Sequence, residues 1–191
     1  FNRLVTHLPA AGHNFHHVHM NNSAGLLHEP DSIYNLARPG LLVYGVLPHG
    51  RRRVTAAMKR NLRPALSWSC RVSLVKDIAK GTPLSYGRSF IAPRRMRVAT
   101  LTAGYGDGYL CSSAGQARAL IGGRPCPVLG NITMDQMLAD VSRVQNIKTG
   151  DEAVLIGRQG KREITANKLA QWAGTIPWET LTAIAYRVPR V

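Results

Sequence analysis

The sequence predicts an α+β, mainly β fold in two parts: a short part of alternating helices and strands, then an antiparallel, barrel-like β part. Three observations predict it. Apolar residues near the start recur with helical spacing. From Leu66 onward the period changes to two, as in half-buried strands. Glycine and proline turns then separate one short apolar run from the next.

Residues 1–47 form the first predicted part. Its opening helix carries apolar residues with the spacing of one helical face, namely Phe1, Leu4, Val5 and Leu8. Gly12 ends this helix, and a short strand is predicted at residues 16–20. The polar residues 21–23 cap a second helix, which Pro30 ends.

The order helix, strand, helix, then a strand or turn at residues 41–45, is that of the last units of a βα-repeat architecture. A complete (β/α)8 barrel needs about 250 residues, so only its last one or two units fit here. A basic, apolar-poor linker bounded by prolines follows at residues 48–64. It contains two clusters of cations, at residues 51–53 and 59–60.

Residues 65–191 form the second predicted part. Its first strand has apolar residues at every second position, namely Leu66, Trp68, Cys70, Val72 and Leu74. Further strands are predicted at residues 96–102, 117–121, 125–129, 137–141 and 153–156. Gly122 and Gly123 form a hairpin turn between two of them. Thr165 and Thr175 cap two helices near the end of the chain.

The chain is strongly basic, with 25 Lys and Arg against 10 Asp and Glu and a formal net charge of +15. Such a charge suits nucleic acid or acidic ligands. Aromatic residues make up only 6% of the chain, so platforms for stacking bases are scarce. We therefore expect a solvated basic surface or a field for an anionic ligand, and no nucleic-acid partner. The alternative from another class, a basic β-barrel binding module for nucleic acid or acidic partners, would show salt-dependent retention on DNA.

Other residue types exclude further classes. Cys70, Cys111 and Cys126 are odd in number and widely spaced, which argues against disulfides and zinc and for the reducing cytoplasm. Four histidines lie within residues 13–19 without a carboxylate or cysteine, so we expect no metal site. No apolar run reaches about 18 residues, so we expect no membrane span. The chain opens at Phe1 as if within a helix, without a signal peptide, so we expect a fragment.

Three glycine turns carry reactive or hydrogen-bonding side chains after strand-like runs, at residues 81–90, 104–109 and 130–136. Glycine permits positive φ and lets another backbone or a ligand come close, so we expect these turns to form an outward-facing site. Tyr86 is the candidate acid/base residue. A free tyrosine titrates near about 10, so it needs nearby cations such as Arg88. Most tyrosines are packing residues, and that alternative stays open.

A second candidate is an anion site in the first part. Ser23 stands at a helix start, where unpaired N–H groups favour negative charge, and the amides around Gly40 offer more donors. Arg38 is a permanent donor, since arginine does not lose its proton in proteins. Simple capping by Ser23 and a surface ion pair of Arg38 are the alternatives.

Seven motifs stand in order along essentially the whole chain: residues 19–24 (HMNNSA), 38–41 (RPGL), 84–90 (LSYGRSF), 104–109 (GYGDGY), 134–136 (MDQ), 150–151 (GD) and 186–190 (YRVPR). Together they resemble alanine racemase, the pyridoxal-phosphate enzyme with an N-terminal (β/α)8 barrel and a C-terminal β domain. Any one of these motifs alone is weak evidence for the resemblance, whereas the whole set in this order is specific for the family.

The resemblance implies an isomerase that interconverts L- and D-alanine and supplies D-alanine for peptidoglycan. Tyr86 matches the catalytic tyrosine, which removes the Cα proton from the L face of a substrate bound to the cofactor on the partner subunit. This implies a head-to-tail homodimer. The opposing base is the lysine that holds the cofactor, in the early part of the barrel, so we expect these 191 residues alone to be inactive. A related racemase for serine or other amino acids is the alternative.

The resemblance also implies the remaining site residues. The cofactor phosphate is expected at Asn22, Ser23, Gly40 and Leu41. Arg38 matches the arginine on the pyridine nitrogen. Because arginine keeps its proton, the ring nitrogen stays largely unprotonated, which favours reprotonation at Cα over transamination. Tyr105, Met134 and Asp135 match the partner-side residues of the substrate entrance and carboxylate pocket.

Two residues depart from the family's pattern. Trp178 stands before Glu179 where the family usually has a tyrosine that touches the cofactor phosphate. Its indole N–H can donate to a phosphate but cannot accept or titrate, and we still expect Trp178 to bind the cofactor. Asn131 stands where an arginine is common, which we expect to loosen the entrance or relax specificity.

Overall fold

The computed structural model describes residues 1–28, 33–48 and 61–191. The chain divides into two compact units, Phe1–Ala65 and Leu66–Val191. Most of the predicted linker, including both of its cation clusters, lies outside the described residues, as does the proline predicted to end the second helix.

The first unit contains two short helices within its described residues. The helix α1 spans Asn2–His7 and leads into a 3-10 helix at Pro9–Ala11, after which Gly12 is left-handed with a φ of 83°. The helix α2 spans Ser23–His28. The Oδ1 atom of Asn22 accepts hydrogen bonds from the backbone N–H groups of the second and third residues of α2, at 3.0 and 3.1 Å. The glycine and the cap predicted for these helices are confirmed.

The strand predicted at residues 16–20 is wrong, because these residues form no ladder. Asn35 satisfies their backbone instead. Its Oδ1 accepts from the Val18 N–H at 2.8 Å, and its Nδ2 donates to the His16 carbonyl at 2.8 Å. A side chain that bonds the backbone in this way competes with strand pairing. Residues 41–45 form a turn, which decides between the two predicted alternatives.

The second unit is described throughout and consists mainly of strands. The strands are β1 Trp68–Ile78, β2 Pro83–Leu84, β3 Phe90–Ile91, β4 Met96–Leu101, β5 Arg118–Ile121, β6 Arg124–Leu129, β7 Met137–Asp140, β8 Glu152–Gln159 and β9 Arg162–Ile164. The helices are α3 Ala166–Ala173 and α4 Pro177–Thr182, with short 3-10 helices at Tyr86–Arg88, Tyr105–Asp107 and Cys111–Ser113.

The longer strands of this unit close into a ring. Their order is β1-β4-β7-β6-β5-β8-β9, and β1 also pairs with β8, so six strands form a barrel with β9 attached to β8. Every one of these pairs is antiparallel. Closure leaves few unpaired strand edges. The antiparallel, barrel-like domain predicted from the sequence is confirmed.

The core of the second unit is apolar. Its most deeply buried side chains lie on or beside the strands, at Val72, Leu101, Leu120, Ile121, Met137, Val141 and Leu155, and on α3, at Leu169. Burying one such side chain stabilises a fold by roughly 1.5–3 kcal/mol. This packed core holds in place the strand ends from which the turns at the rim of the barrel extend.

The alternation predicted for β1 is only partly correct. Trp68 and Val72 are buried, as predicted, but Leu74 is 53% exposed. The pairing of β1 with β4 shifts register between Val72 and Leu74. A one-residue shift moves the following side chains to the other face of the sheet, which explains why Leu74 faces solvent.

The two C-terminal helices also differ from the prediction at one point. Thr165 caps α3 by accepting a backbone N–H of the first turn at 3.1 Å, and Gly174 ends α3 with a φ of 68°, as predicted. Thr175 does not cap α4. Its N–H donates to the Ala170 carbonyl at the end of α3, and Ile176 is the N-cap of α4. None of the helices formed by the described residues has the length and hydrophobicity needed to cross a membrane.

Candidate active site

The second and third glycine turns meet at one end of the barrel. The Tyr105 turn, residues 104–108, follows β4, and the Asn131 turn, residues 130–136, joins β6 to β7. Because β4 and β6 both pair antiparallel with β7, they run in the same direction and end at the same rim. The backbone N–H groups of Tyr105 and Gly106 donate to the carbonyls of Thr133 and Met134, at 2.9 and 2.8 Å.

The Tyr105 turn needs glycine because it packs directly against other backbone. A Cβ at Gly104 would lie 2.1 Å from the Thr133 carbonyl oxygen. At Gly108, whose φ is +99°, a Cβ would lie 2.1 Å from the Ala183 carbonyl oxygen. No side chain fits at such distances. Glycine here permits a close approach of the protein's own chain, and it fixes the position of Tyr105.

The Tyr86 loop, residues 85–89, connects β2 to β3 and packs on the Asn131 turn. A Cβ added at Gly130 would lie 2.7 Å from the Cβ of Ser85. The hydroxyl of Ser85 donates to the Asn131 carbonyl at 2.9 Å, and the Asn131 N–H donates to the Ser89 Oγ at 3.1 Å. The loop is thus tied to the barrel rim, while the Tyr86 side chain remains 76% exposed.

The Tyr86 loop has an unusual backbone. Ser85 has a φ of 62° and a ψ of 171°, and Arg88 has a φ of 53°. Residues other than glycine rarely adopt such angles, which cost about 1–3 kcal/mol each and persist only where the surroundings impose them. The bonds to the Asn131 turn are part of those surroundings.

All three turns line one surface cavity of about 740 Å³. Tyr86 and Tyr105 contribute to its wall, together with the Asn131 turn, including Met134 and Asp135, and the thiol-bearing Cys111. Tyr105 and Met134 are 46% and 52% exposed, so they face outward beside Tyr86. The described lining of this cavity does not include Trp178, which lies on α4 and is 37% exposed.

Arg187 organises the carboxylates of this region. Its Nε donates to Asp107 at 2.8 Å and its Nη2 donates to Asp135 at 2.7 Å. The other carboxylate oxygen of Asp107 accepts the Gly104 N–H at 2.9 Å. The bond to Asp107, followed by the bond to Asp135, raises the pKa of Arg187 above its ordinary value. Arg187 belongs to a motif noted in the sequence, but no role was predicted for it.

In the first unit, Ser23 is the centre of a small hydrogen-bonded cluster. Its side chain is buried, and its Oγ accepts the N–H groups of Gly40 at 2.8 Å and Leu42 at 3.3 Å. Both lone pairs of the oxygen are then occupied, so its proton is left to donate to an acceptor such as an anion. A Cβ at Gly40 would lie 3.9 Å from this oxygen, so the space beside it is open. These residues fit a phosphate group in chemical character.

Arg38 lies next to this cluster in the first unit. It forms a parallel bridge with Asn22, and its Nη2 donates to the Met20 carbonyl at 3.2 Å. The side chain of Leu41 is buried, whereas Asn22 and Arg38 are exposed. No group of three metal-binding side chains comes together among the described residues, including the histidines of the first unit.

Two family models match the chain. The alanine racemase C-terminal domain matches residues 65–191, and the alanine racemase N-terminal domain matches residues 1–48. The alanine racemase of Symbiobacterium thermophilum is 43% identical over 190 residues, which is 100% of this chain and 49% of that relative. The alanine racemase of Carboxydothermus hydrogenoformans is 38% identical and aligns over 100% of this chain and 51% of that relative.

Solved structures give the same result. Alanine racemase from Streptomyces coelicolor superimposes with a TM-score of 0.91 at 33% identity, over 100% of this chain and 49% of that one. Alanine racemase from Bacillus anthracis with bound L-Ala-P superimposes with a TM-score of 0.85 at 31% identity, over 100% of this chain and 48% of that one. The chain spans about half the length of the relatives it matches. It belongs to the alanine racemase family.

Proposed function

We propose that this chain forms the C-terminal half of a pyridoxal-phosphate-dependent alanine racemase, with Tyr86 as one of two bases. One observation carries the proposal: the exposed Tyr86 shares a cavity with Tyr105, Met134 and Asp135, the three residues expected at the substrate entrance. The activity is that of a whole protein about twice as long as this chain. The resemblance assigns the cofactor's lysine to the early part of the barrel.

In this proposal the phenolate oxygen of Tyr86 takes the Cα proton of L-alanine, and the phenol returns a proton to the same face in the reverse reaction. Pyridoxal phosphate, when bound, withdraws electrons from Cα and so makes this proton acidic. The side chain of Tyr86 is 76% exposed and is therefore free to reach a substrate held by another subunit. Contact with that subunit excludes water from the proton transfer. The reach of Tyr86 is our reason to propose a head-to-tail homodimer.

The entrance residues act differently from one another. Asp135 is anionic and repels the substrate carboxylate unless its charge is compensated, and the ion pair with Arg187 at 2.7 Å provides that compensation. We therefore assign the contact with the substrate carboxylate to backbone N–H groups near Met134 rather than to the Asp135 side chain. The apolar side chain of Met134 and the ring of Tyr105 limit the size of the substrate, which favours alanine over serine.

The cofactor contacts are assigned to the first unit. Ser23 donates its remaining proton to the phosphate, with Asn22, Gly40 and Leu41 around it. Arg38 donates to the pyridine nitrogen. Trp178 takes the place of the family's tyrosine, with its indole N–H as a donor only.

We propose the same domain boundaries as the sequence predicted: residues 1–47 as the end of the cofactor-binding barrel, 48–64 as the linker and 65–191 as the β domain. The two compact units and the two matched family models support this division. We place the enzyme in the cytoplasm. The three free cysteines of the chain suit that reducing compartment.

The test replaces Tyr86 by Phe in a full-length enzyme, either the native gene product or a fusion of this chain to the N-terminal half of the Symbiobacterium thermophilum relative. We expect kcat for L-alanine to fall by about 10²- to 10⁴-fold, since general acid–base catalysis is lost. Tyr186→Phe is the matched control, because Tyr186 is 99% exposed and lies outside the cavity lining. A Tyr86→Phe enzyme with the wild-type rate would falsify the proposal.

Two further measurements define the proposal's limits. The 191-residue chain alone should not racemise alanine, with or without added pyridoxal phosphate. Racemisation by the isolated chain would contradict the assignment of the second base to the missing part of the barrel. A panel of L-amino acids tests the alternative of a broader racemase, and a serine rate above the alanine rate would favour that alternative.

A further inference from the structure

Asn131 makes three hydrogen bonds to the Tyr86 loop. Two of them use its backbone: the carbonyl accepts the Ser85 hydroxyl at 2.9 Å, and the N–H donates to the Ser89 Oγ at 3.1 Å. The third uses its side chain, whose Nδ2 donates to the backbone carbonyl of Tyr86 at 3.2 Å. The same residue also lines the cavity beside Tyr86. One residue thus contacts both ends and the middle of this loop.

The loop needs such a constraint. Ser85 and Arg88, on either side of Tyr86, have positive φ angles of 62° and 53°. Residues other than glycine rarely adopt such angles, so other contacts must stabilise this conformation of the loop. The short strands β2 and β3 pair through only two residues each, so they constrain the loop weakly. The side-chain amide of Asn131 is the contact that reaches the Tyr86 backbone itself.

We propose that Asn131 is a positioning residue for Tyr86, an inference that rests on the proposed function of Tyr86 as a base. The amide holds the Tyr86 carbonyl, and thereby fixes the direction in which the phenol leaves the loop. Proton transfer at Cα requires the phenol oxygen within hydrogen-bonding reach of the proton, so a small displacement of the loop lowers the rate. On this view the Asn that departs from the family's arginine tightens the catalytic loop, whereas the sequence alone led us to expect a looser entrance.

The test uses Asn131→Asp and Asn131→Ala in the full-length fusion described above. Aspartate keeps the shape of the side chain but replaces the donor by an oxygen that repels the Tyr86 carbonyl, while alanine removes the contact. Gln116→Ala is the matched control, since it removes another exposed side-chain amide of the same unit. Circular dichroism establishes that each variant is folded.

The first readout is independent of activity. Hydrogen–deuterium exchange of residues 84–91 is measured by mass spectrometry in the same full-length fusion. We expect roughly fivefold to tenfold faster exchange in both Asn131 variants, and no change in Gln116→Ala, as for the loss of one hydrogen bond. The barrel strand β4 serves as an internal reference and should exchange at the wild-type rate.

The second readout separates positioning from a general structural effect. We expect kcat from L-alanine to fall roughly tenfold with little change in KM, because the proton transfer to Tyr86 slows. That step then limits the rate more strongly, so the isotope effect of α-deuterated L-alanine rises and that of α-deuterated D-alanine does not. A merely structural defect would change both isotope effects alike.

Several outcomes overturn the inference. Wild-type exchange in residues 84–91, an equal rise in both isotope effects, or failure of both Asn131 variants to fold would each remove the positioning role. If only Asn131→Ala fails to fold, Asn131→Asp decides. An inactive Tyr86→Phe with unchanged Asn131 variants refutes the inference alone, whereas an active Tyr86→Phe refutes the proposed function.

Discussion

The two units of this chain hold their candidate functional residues in different ways. In the second unit a closed barrel fixes the rim from which the Tyr105 and Asn131 turns extend. In the first unit α1 buries none of its residues, and Leu4 and Phe15 are 57% and 61% exposed. The centre of its candidate anion site, Ser23, is fixed by local hydrogen bonds to the residues around Gly40.

The difference follows from the two architectures. An antiparallel barrel pairs its own strands and fills its own interior, so its rim is fixed without another part of the protein. A βα unit packs against the neighbouring units of its barrel and obtains its core from them. We therefore expect substitutions in the second unit to change the stability of this chain, and matched substitutions in the first unit to change it little.

The largest effect is expected for Gly104→Ala. Its Cβ would lie 2.1 Å from the Thr133 carbonyl oxygen and 2.5 Å from that of Met134, so the two turns must separate and lose their backbone bonds. We expect a loss of about 4 kcal/mol or more, measured by urea unfolding. Gly40→Ala in the first unit is the control, since its Cβ would meet only the Ser23 Oγ at 3.9 Å. Similar losses of stability in the two variants would contradict the expected difference between the two units.

The second-largest loss of stability is expected from a substitution in the core of the second unit. Leu155 has 0% exposure, and Leu155→Ala leaves a cavity that costs about 2–5 kcal/mol. Leu4 in α1 is 57% exposed, and we expect Leu4→Ala to stay within about 0.5 kcal/mol. The midpoints of urea unfolding measure the loss of stability in both variants, provided that the dependence of the unfolding free energy on urea stays constant. A destabilising Leu4→Ala would mean that the first unit has a core of its own in this chain.

The same contrast explains how much of the fold was predictable. Local signals were sufficient where one residue type serves one purpose, as for the cap at Thr165 and the hairpin glycines Gly122 and Gly123. They failed where two elements compete for one group. Thr175 has the residue type of a cap, but its N–H donates to the Ala170 carbonyl at the end of α3 and its hydroxyl donates to the Glu179 carboxylate. The N-cap position therefore falls to Ile176. Leu74 follows the strand pattern, but a register shift set by β4 reverses its face.

The candidate site was predictable to a similar degree. Glycine turns drew attention to Tyr86, Tyr105 and Met134, because reactive side chains beside glycine are visible in the sequence. The contacts that hold these turns are not visible there. Arg187 bonds Asp107 across 80 positions, and Asn131 bonds the Tyr86 carbonyl across 45. No local pattern connects such residues, and only the closed barrel brings them together.

A smaller loss of stability than those of Gly104→Ala and Leu155→Ala is expected when the pH rises, because of Cys70. Partial burial raises the pKa of the Cys70 thiol from 9.0 to about 12. Above about pH 9 the unfolded chain therefore loses this proton first and binds fewer protons than the folded chain, so the free energy of unfolding falls. Between about pH 8 and about pH 10 we expect the wild type to lose roughly 1 kcal/mol more than Cys70→Ala. Equal pH slopes in the two proteins would contradict the raised pKa of Cys70 in the folded chain.

A thiol titration checks the same feature directly. Burial also raises the pKa of Cys126 to about 11, whereas Cys111 is exposed. A thiolate-selective reagent at about pH 8 should label Cys111 in the folded chain and all three cysteines in denaturant. Because all three thiols lie in the second unit, the reaction reports on the barrel alone.

The smallest changes in stability are expected on removing one buried hydroxyl from each unit, that of Ser23 in the first and that of Tyr109 in the second. The Ser23 oxygen accepts two N–H groups, so Ser23→Ala leaves both without an acceptor and costs about 1 kcal/mol locally. Tyr109 packs against Trp68 with ring centroids 5.8 Å apart, and its hydroxyl is buried with no hydrogen-bond partner within the described part of the chain. An unsatisfied buried hydroxyl destabilises the folded state, so we expect Tyr109→Phe to raise the free energy of unfolding by up to about 1 kcal/mol.

Urea unfolding measures the Tyr109 variant, and amide exchange at Gly40 and Leu42 measures the Ser23 variant. Opposite signs are expected, because the barrel buries Tyr109 through apolar packing while the first unit depends on the hydrogen bonds of Ser23. If Tyr109→Phe instead lowers the stability by more than about 0.5 kcal/mol, its hydroxyl has a partner, and the barrel, like the first unit, depends on a buried polar contact.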